Sequence, residues 1–217
     1  MHHSSGRRYC NPGILWNREK DKMMTIYFIR HGKTPGNLLR RFIGGRTDQS
    51  LCEAGKAELT DIKKAKLYPD TKKVYVSPMR RCRETASILF PAAEQIVVED
   101  MREMDFGRFE NKSHADMEQD REYKAWLSTM CEGPVPQGED KMSFTIRCTQ
   151  AFLDIANKWS LGKNRDQAVF VVHGGTIMAI LSSFIRSDRQ YHQWYAENGH
   201  GYRCGWDGKE LTLEKEL

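Results

Sequence analysis

Short apolar runs alternate with longer amphipathic segments along this chain. Runs rich in β-branched and aromatic residues, bounded by turn formers, predict strands at 24–30, 74–77, 96–98 and 168–172. A final pair at 202–205 and 211–213, joined by Asp207-Gly208, predicts a hairpin. Apolar residues at helical spacing predict helices over 53–66, 80–89, 140–159 and 176–184.

This order of strands and helices is typical of the α/β class. It predicts a three-layer sandwich, with a mainly parallel central sheet and helices on both faces. The polar segment 111–138, which contains Trp126, Pro134 and Pro136, predicts short helices that form a small cap over the sheet. A length of 217 residues favours a single domain.

The first 22 residues differ from the rest because they show no helix or strand periodicity. They begin like an expression leader that contains the remnant of a histidine tag. We therefore expect residues 1–22 to be a disordered leader and residues 23–217 to form the single domain.

Composition narrows the choice of partners. Three of the five net positive charges lie before Met23, so the remaining chain carries only +2, which argues against nucleic acid. No apolar run is long enough to span a bilayer, so we expect a soluble protein without a membrane partner. The six cysteines form no CxxC pair and suit a reducing cytoplasm. A small-molecule ligand is the expected partner, and a homodimer stays open.

Two of the predicted strands end in a histidine followed by glycine, at His31-Gly32 and at His173-Gly174. Ligands bind outside the carboxyl ends of the strands in an open α/β sheet, so both imidazoles are expected to face one crevice. Arg30 and Arg81 would add guanidinium groups, and the helix after the second strand would bring its N-terminus to the same edge. This combination predicts a phosphate site that needs no metal.

The residues around these strand ends carry a family resemblance. Residues 30–37 read Arg-His-Gly-Lys-Thr-Pro-Gly-Asn, which matches the RHGxTxxN signature of the histidine phosphatase superfamily, the group that includes cofactor-dependent phosphoglycerate mutases. Residues 77–86 resemble the family's SxLxRAxxTA segment, 101–107 resemble its LxExxxG segment, and 171–175 resemble its closing HGG motif. The four motifs occur in the family's order and span most of the chain.

The resemblance implies a role for each site residue. His31 would be the nucleophile that forms a phosphohistidine, and Glu103 would be the proton donor. Arg30, Arg81 and a protonated His173 would stabilise charge on the transferring oxygens. No metal ion or other cofactor is expected, so activity should survive chelation. The expected substrate-binding residues are Thr34, Asn37, Gly174 and Arg46.

Simpler interpretations of several of these residues stay open. Thr34 and Asn37 are equally suited to capping the next turn. Arg46 is more typical of a solvated loop charge than of a substrate ligand, although its glycine-rich loop could fold over the pocket. Glu103 has carboxylate neighbours such as Asp105, and only its place within the third motif distinguishes it. Lys33, where the family commonly has glutamate, leaves the substrate preference open.

Three functions compete. The first is a phosphomonoesterase, and segments 45–55, 102–107 and 136–139 look most like bacterial α-ribazole phosphatases of cobalamin synthesis. The second is a phosphoglycerate mutase, but segment 111–138 is shorter and more acidic than the basic insertion of true mutases. The third is a non-catalytic phosphate-binding protein on the same fold, which would be expected to have lost His31 or Glu103.

Overall fold

A computed structural model describes residues 23–161 and 167–217 of the chain. The predicted leader, residues 1–22, lies outside the described residues. The strands are β1 Met24–Arg30, β2 Lys73–Val76, β3 Glu94–Val97, β4 Gln167–Val172, β5 Gly201–Trp206 and β6 Leu211–Glu216. The α-helices are α1 Pro35–Leu38, α2 Glu53–Lys64, α3 Arg80–Leu89, α4 Arg121–Ser128, α5 Lys141–Leu161 and α6 Gly174–Phe184.

The six strands form one sheet in the order β3-β2-β4-β1-β5-β6. The pairs β3-β2, β2-β4 and β4-β1 are parallel, whereas β5 is antiparallel to both β1 and β6. Sequence reasoning predicted this mainly parallel sheet and the closing hairpin. The parallel pairing places the carboxyl ends of β1, β2 and β4 at one edge of the sheet.

Both faces of the sheet are covered, because the buried strand residues alternate between two cores. Ile26 and Phe28 of β1 belong to a core shared with α5 and α6. Tyr27 and Ile29 belong to a second core shared with α2 and α3. This arrangement confirms the three-layer sandwich.

The predicted helical cap consists of the 3₁₀ turn Ala115–Met117 and helix α4. Trp126 of α4 is buried and packs against the rings of Phe42, Phe106 and Phe109. These aromatic contacts attach the cap to the loops at the carboxyl edge of the sheet.

The boundaries of several elements differ from the sequence-based expectation. Helix α2 ends at Lys64 instead of residue 66, since Lys66 has a positive φ of 51°. The hairpin loop covers 207–210 instead of a two-residue turn. The Asp207 side chain accepts hydrogen bonds from the N–H groups of Lys209 and Glu210, and Gly208 takes a φ of 104°. No helix within the described ranges is long and apolar enough to cross a membrane.

Candidate active site

The register of two neighbouring strands brings the two motif histidines together. Arg30 of β1 pairs with Val172 of β4, so the next residues, His31 and His173, leave the sheet side by side. Their ring centroids lie 5.2 Å apart. The sequence motifs are separate along the chain, but the parallel pairing of β1 with β4 makes them neighbours.

His31 is held in one tautomer. Its backbone N–H donates to the carbonyl of Val172 at 3.0 Å, and its ring atom Nδ1 lies 2.8 Å from the carbonyl oxygen of Gly32. A carbonyl can only accept, so Nδ1 carries the proton and Nε2 keeps its lone pair. A Cβ at Gly32 would lie 2.6 Å from Leu59 Cδ1, so any larger residue here would have to displace the Leu59 side chain.

His31 is also neutral in this environment. Its side chain is buried, and burial is the main cause that holds its pKa well below the usual value of 6.5. The positive charges of Arg81 and then Arg30 act in the same direction. A neutral imidazole with a free Nε2 lone pair is the form that attacks phosphorus.

His173 differs from the protonated state that the sequence analysis expected. Its Nε2 lies 2.6 Å from Ser77 Oγ, and its Nδ1 accepts a hydrogen bond from Nε of Arg81 at 3.3 Å. Burial, followed by the charge of Arg81, holds its pKa well below the usual value. His173 is therefore neutral in this structure, because a nitrogen that accepts from a guanidinium cannot itself carry a proton.

Arg81 is completely buried beneath the site. Besides His173, its guanidinium donates to the backbone carbonyls of Thr47 at 2.9 Å and Gly44 at 3.1 Å. The structure brings Arg81 to the histidines but does not place it among the residues that line the cavity described below. In this arrangement it contributes a fixed positive charge and orients His173.

Arg30, in contrast, lines the cavity. One terminal nitrogen donates to the carbonyl of Ala196 at 2.8 Å, and the guanidinium lies 4.9 Å from the ring centroid of Tyr195. Its Nε is buried and has no hydrogen-bond partner among the described residues. A Cβ at Gly174 would lie 3.4 Å from that Nε. Arg30 therefore brings a positive charge to the cavity, and its Nε is an unpaired buried donor beside the backbone of Gly174.

Glu103 is buried, and both of its carboxylate oxygens accept backbone hydrogen bonds. The N–H of Met104 donates to Oε1 at 2.9 Å, and the N–H of Gly175 donates to Oε2 at 3.1 Å. Burial raises the pKa of the carboxyl group, whereas these N–H groups and the charges of Arg81 and Arg30 oppose that rise. A raised pKa keeps the proton on Glu103 at higher pH, as a general acid requires.

Asn37 and Thr34 behave differently from each other. Thr34 is fully buried and caps α1, because its hydroxyl accepts from the N–H of Asn37. The Thr34 backbone N–H and hydroxyl both donate to Asn37 Oδ1 at 3.0 Å, and Asn198 Nδ2 donates to the same oxygen at 3.5 Å and to the His31 carbonyl at 2.9 Å. Asn37 lines the cavity, and because its Oδ1 already accepts these hydrogen bonds, its amide nitrogen is the group that could donate to a ligand there.

Arg46 does not reach this cavity. Its Nε pairs with the Asp105 carboxylate at 2.8 Å, and another guanidinium nitrogen donates to the backbone carbonyl of Gln137. The side chain lies on the outer side of the loop that carries Glu103, half exposed. Arg46 instead lines a separate, open cleft of about 620 Å³, which Glu103 and Arg147 also line.

The cavity has a volume of about 340 Å³ and two distinct regions. We call the first the histidine end, which consists of Arg30, His31, Glu103, Gly174 and Gly175. We call the second the aromatic wall, which consists of Phe42, Phe106, Trp126, Phe144, Tyr191 and Tyr195. Within the described ranges no three His, Cys, Asp or Glu side chains are grouped as metal ligands.

Sequence reasoning missed several contacts of this site. Ser77 is the first residue of the second motif and directly follows a strand, but nothing in the nearby sequence indicates its hydrogen bond to His173. Asn198 lies in a loop with no motif, and only the fold brings it to His31. The members of the aromatic wall are spread over the chain and look like any core aromatic residue.

The chain belongs to the histidine phosphatase superfamily (branch 1), whose family model matches residues 26–216. It is 28% identical over 168 residues, 73% of this chain and 77% of the other, to a protein of Hydrogenobacter thermophilus named "Putative phosphoserine phosphatase 2". It is 29% identical over 169 residues, 75% of each chain, to a protein of an Enterobacter species named "Probable phosphoglycerate mutase GpmB".

A solved structure shows the same fold. The crystal structure of the alpha-ribazole phosphatase from Shigella flexneri has a TM-score of 0.76 at 20% sequence identity, over 89% of this chain and 96% of that one. At this identity the likeness defines the fold and not the substrate.

Proposed function

We propose that this chain is a phosphomonoesterase that transfers the phosphoryl group of a small organic ester to Nε2 of His31 and then to water. The main support for the proposal is that one cavity holds both a candidate nucleophile and a candidate proton donor. His31 offers a neutral imidazole with a free lone pair, and Glu103 offers a buried carboxyl group of raised pKa.

In the first half-reaction, Nε2 of His31 forms a bond to phosphorus while the ester P–O bond breaks. The leaving alkoxide takes the proton of Glu103 and departs as an alcohol. In the second half-reaction, water attacks the phosphohistidine and gives its proton to the Glu103 carboxylate. The N–P bond breaks, its electron pair returns to Nε2, and inorganic phosphate leaves.

Positive charge at the histidine end would stabilise the transferring oxygens. The Arg30 side chain lines the cavity, and Arg81 adds its charge from beneath. Fixed charges in a site shielded from water require no reorganisation during the reaction, so they stabilise the transition state more than water would.

The aromatic wall favours an ester whose alcohol part is flat and largely apolar. Two cationic side chains on the cavity are already paired, Arg41 with Asp116 at 3.3 Å and Lys141 with Glu132 at 3.1 Å. A substrate with a carboxylate, such as phosphoserine or phosphoglycerate, would have to compete with those pairs. We therefore place α-ribazole 5′-phosphate first among candidate substrates.

A phosphate-release assay tests the proposal with α-ribazole 5′-phosphate, O-phosphoserine and 3-phosphoglycerate side by side. We expect phosphate release with the highest kcat/KM for α-ribazole 5′-phosphate. Interconversion of phosphoglycerates without net release of phosphate would instead identify a mutase. Tight phosphate binding with no turnover of any ester would identify a binding protein.

A further inference from the structure

One side chain of helix α5, Arg147, hydrogen-bonds to the backbone of the loop that carries Glu103. The Arg147 guanidinium donates through one terminal nitrogen to the carbonyls of Asp100 at 2.8 Å and Arg102 at 2.7 Å. Its other terminal nitrogen donates to the carbonyl of Glu103 at 3.2 Å. Three backbone carbonyls within four residues therefore depend on a single guanidinium.

Glu139 completes this attachment. Its carboxylate pairs with both Nε and a terminal nitrogen of Arg147, at 2.7 and 2.8 Å. It also accepts from the N–H of Asp105 at 3.3 Å, and the Glu139 backbone N–H donates to the carbonyl of Asp105 at 2.9 Å. The Arg147–Glu139 pair thus holds the backbone on both sides of Glu103.

The contacts indicate a geometric role for this pair. Within the described residues, the N–H groups of Arg147 reach backbone carbonyls, Glu139 and the Cys148 sulfur. The Glu103 carboxylate is bound instead by the N–H groups of Met104 and Gly175. The pair is also mostly buried, with side chains 24% and 18% exposed. Only the planar guanidinium fork can donate to the carbonyls and to Glu139 together, so lysine cannot replace it.

We propose that Arg147 and Glu139 are positioning residues that fix the backbone of the Glu103 loop, so that the carboxyl group meets the leaving oxygen. This inference rests on the proposed function, in which Glu103 is the proton donor. Neither residue touches the substrate in this scheme.

The test compares an alkyl phosphate, whose alcohol needs a proton to leave, with p-nitrophenyl phosphate, whose phenolate leaves unaided. For Arg147→Lys we expect a loss of kcat of about tenfold to a hundredfold on the alkyl ester, since a displacement of about 1 Å can cost a hundredfold. The rate on p-nitrophenyl phosphate and both KM values should change little.

A double-mutant cycle shows whether Arg147 acts through Glu103. In a Glu103→Gln background, Arg147→Lys should cause no further loss on the alkyl ester. Arg203→Lys is the matched control, because Arg203 pairs with Glu214 at 2.7 Å in the hairpin far from the cavity. Thermal unfolding of each variant separates a loss of stability from a loss of positioning.

Glu139→Gln provides a second variant if Arg147→Lys folds poorly, because glutamine keeps an oxygen for the N–H of Asp105. Equal losses on both esters in both variants, or a further loss in the Glu103→Gln background, would overturn the inference alone. If Glu103→Gln itself affects both esters equally, the donor assignment fails and the inference fails with it.

Discussion

The two ends of the cavity are built in different ways. In the histidine end, Arg30, His31, Gly174 and Gly175 lie at or just after the ends of β1 and β4, whereas Glu103 lies in the loop that follows β3. Hydrogen bonds with the backbone hold the His31 and Glu103 side chains in place. The aromatic wall consists of rings from the cap, from loops and from two helices, and packing holds it in place. The first region has one orientation for each group, whereas the second offers mainly shape and apolar surface.

In the proposed function, the histidine end performs the chemistry and the aromatic wall selects the substrate. The histidine end tolerates little change, because backbone groups at fixed positions orient its Arg30, His31 and Glu103 side chains. A wall of packed rings can be altered one ring at a time. Relatives named as phosphatases and as mutases are compatible with this division.

The largest effect is expected at the histidine end. His31→Ala removes the nucleophile, so turnover should fall by orders of magnitude for every ester. Rapid-quench experiments with a radiolabelled ester should trap acid-labile phosphate on the unmodified protein and none on this variant. His200→Ala, outside the cavity, is the matched control, and an equal loss there would refute the assignment.

The loss of rate caused by Glu103→Gln should depend on the leaving group of the ester. General acid catalysis is worth about a hundredfold to ten-thousandfold, so the loss on an alkyl phosphate should lie in that range. The loss on p-nitrophenyl phosphate should be small. Steady-state rates on both esters measure the difference, and equal losses would point to Asp105 as the next candidate.

Gly175→Ala tests how closely the histidine end is fitted. An added Cβ would lie 2.4 Å from Oε1 of Glu103, so the carboxyl group must move while the backbone stays. We expect about a tenfold or greater loss on alkyl phosphates, since small misplacements are costly. Gly174→Ala is the matched control: its Cβ would lie at an ordinary contact distance of 3.4 Å from Arg30 Nε, so both kinds of ester should be affected little.

The smallest effect is expected at the aromatic wall. Phe106→Ala should raise KM for esters of aromatic alcohols severalfold, because an aromatic contact is worth about 0.5–1.5 kcal/mol beyond its buried area. The kcat value and the KM for methyl phosphate should stay unchanged. Leu39→Ala, an exposed apolar residue outside the cavity, provides the control. A fall in kcat equal to that of Glu103→Gln would erase the distinction between the two regions.

The same division explains what the sequence could predict. His31 and His173 lie in contiguous motifs at strand ends, and parallel pairing makes such ends converge. Glu103 lies in a contiguous motif within the loop that follows β3. The class of fold followed from apolar periodicity, which depends only on local spacing. These features are encoded within short stretches of chain.

The remaining features depend on the tertiary structure. The ring of Phe42 and that of Trp126 are far apart in sequence, and nothing local distinguishes a cavity wall from a core. The neutral state of His173 depends on its burial and on Arg81, which no motif displays. Likewise, Asn198 donates to the His31 carbonyl only because the fold brings the loop before β5 beside β1.

The hydrogen bond from Arg81 leaves Nδ1 of His173 as a nitrogen that could accept a proton. A phosphate dianion beside His173 would offset the burial and positive charge that now lower the pKa of this imidazole. Protonation of Nδ1 would break that bond and leave the Arg81 Nε–H without this acceptor. Proton uptake would then accompany phosphate binding, so inhibition by the product should weaken as the pH rises. Calorimetric titration with phosphate in buffers of different ionisation enthalpy would count the protons taken up.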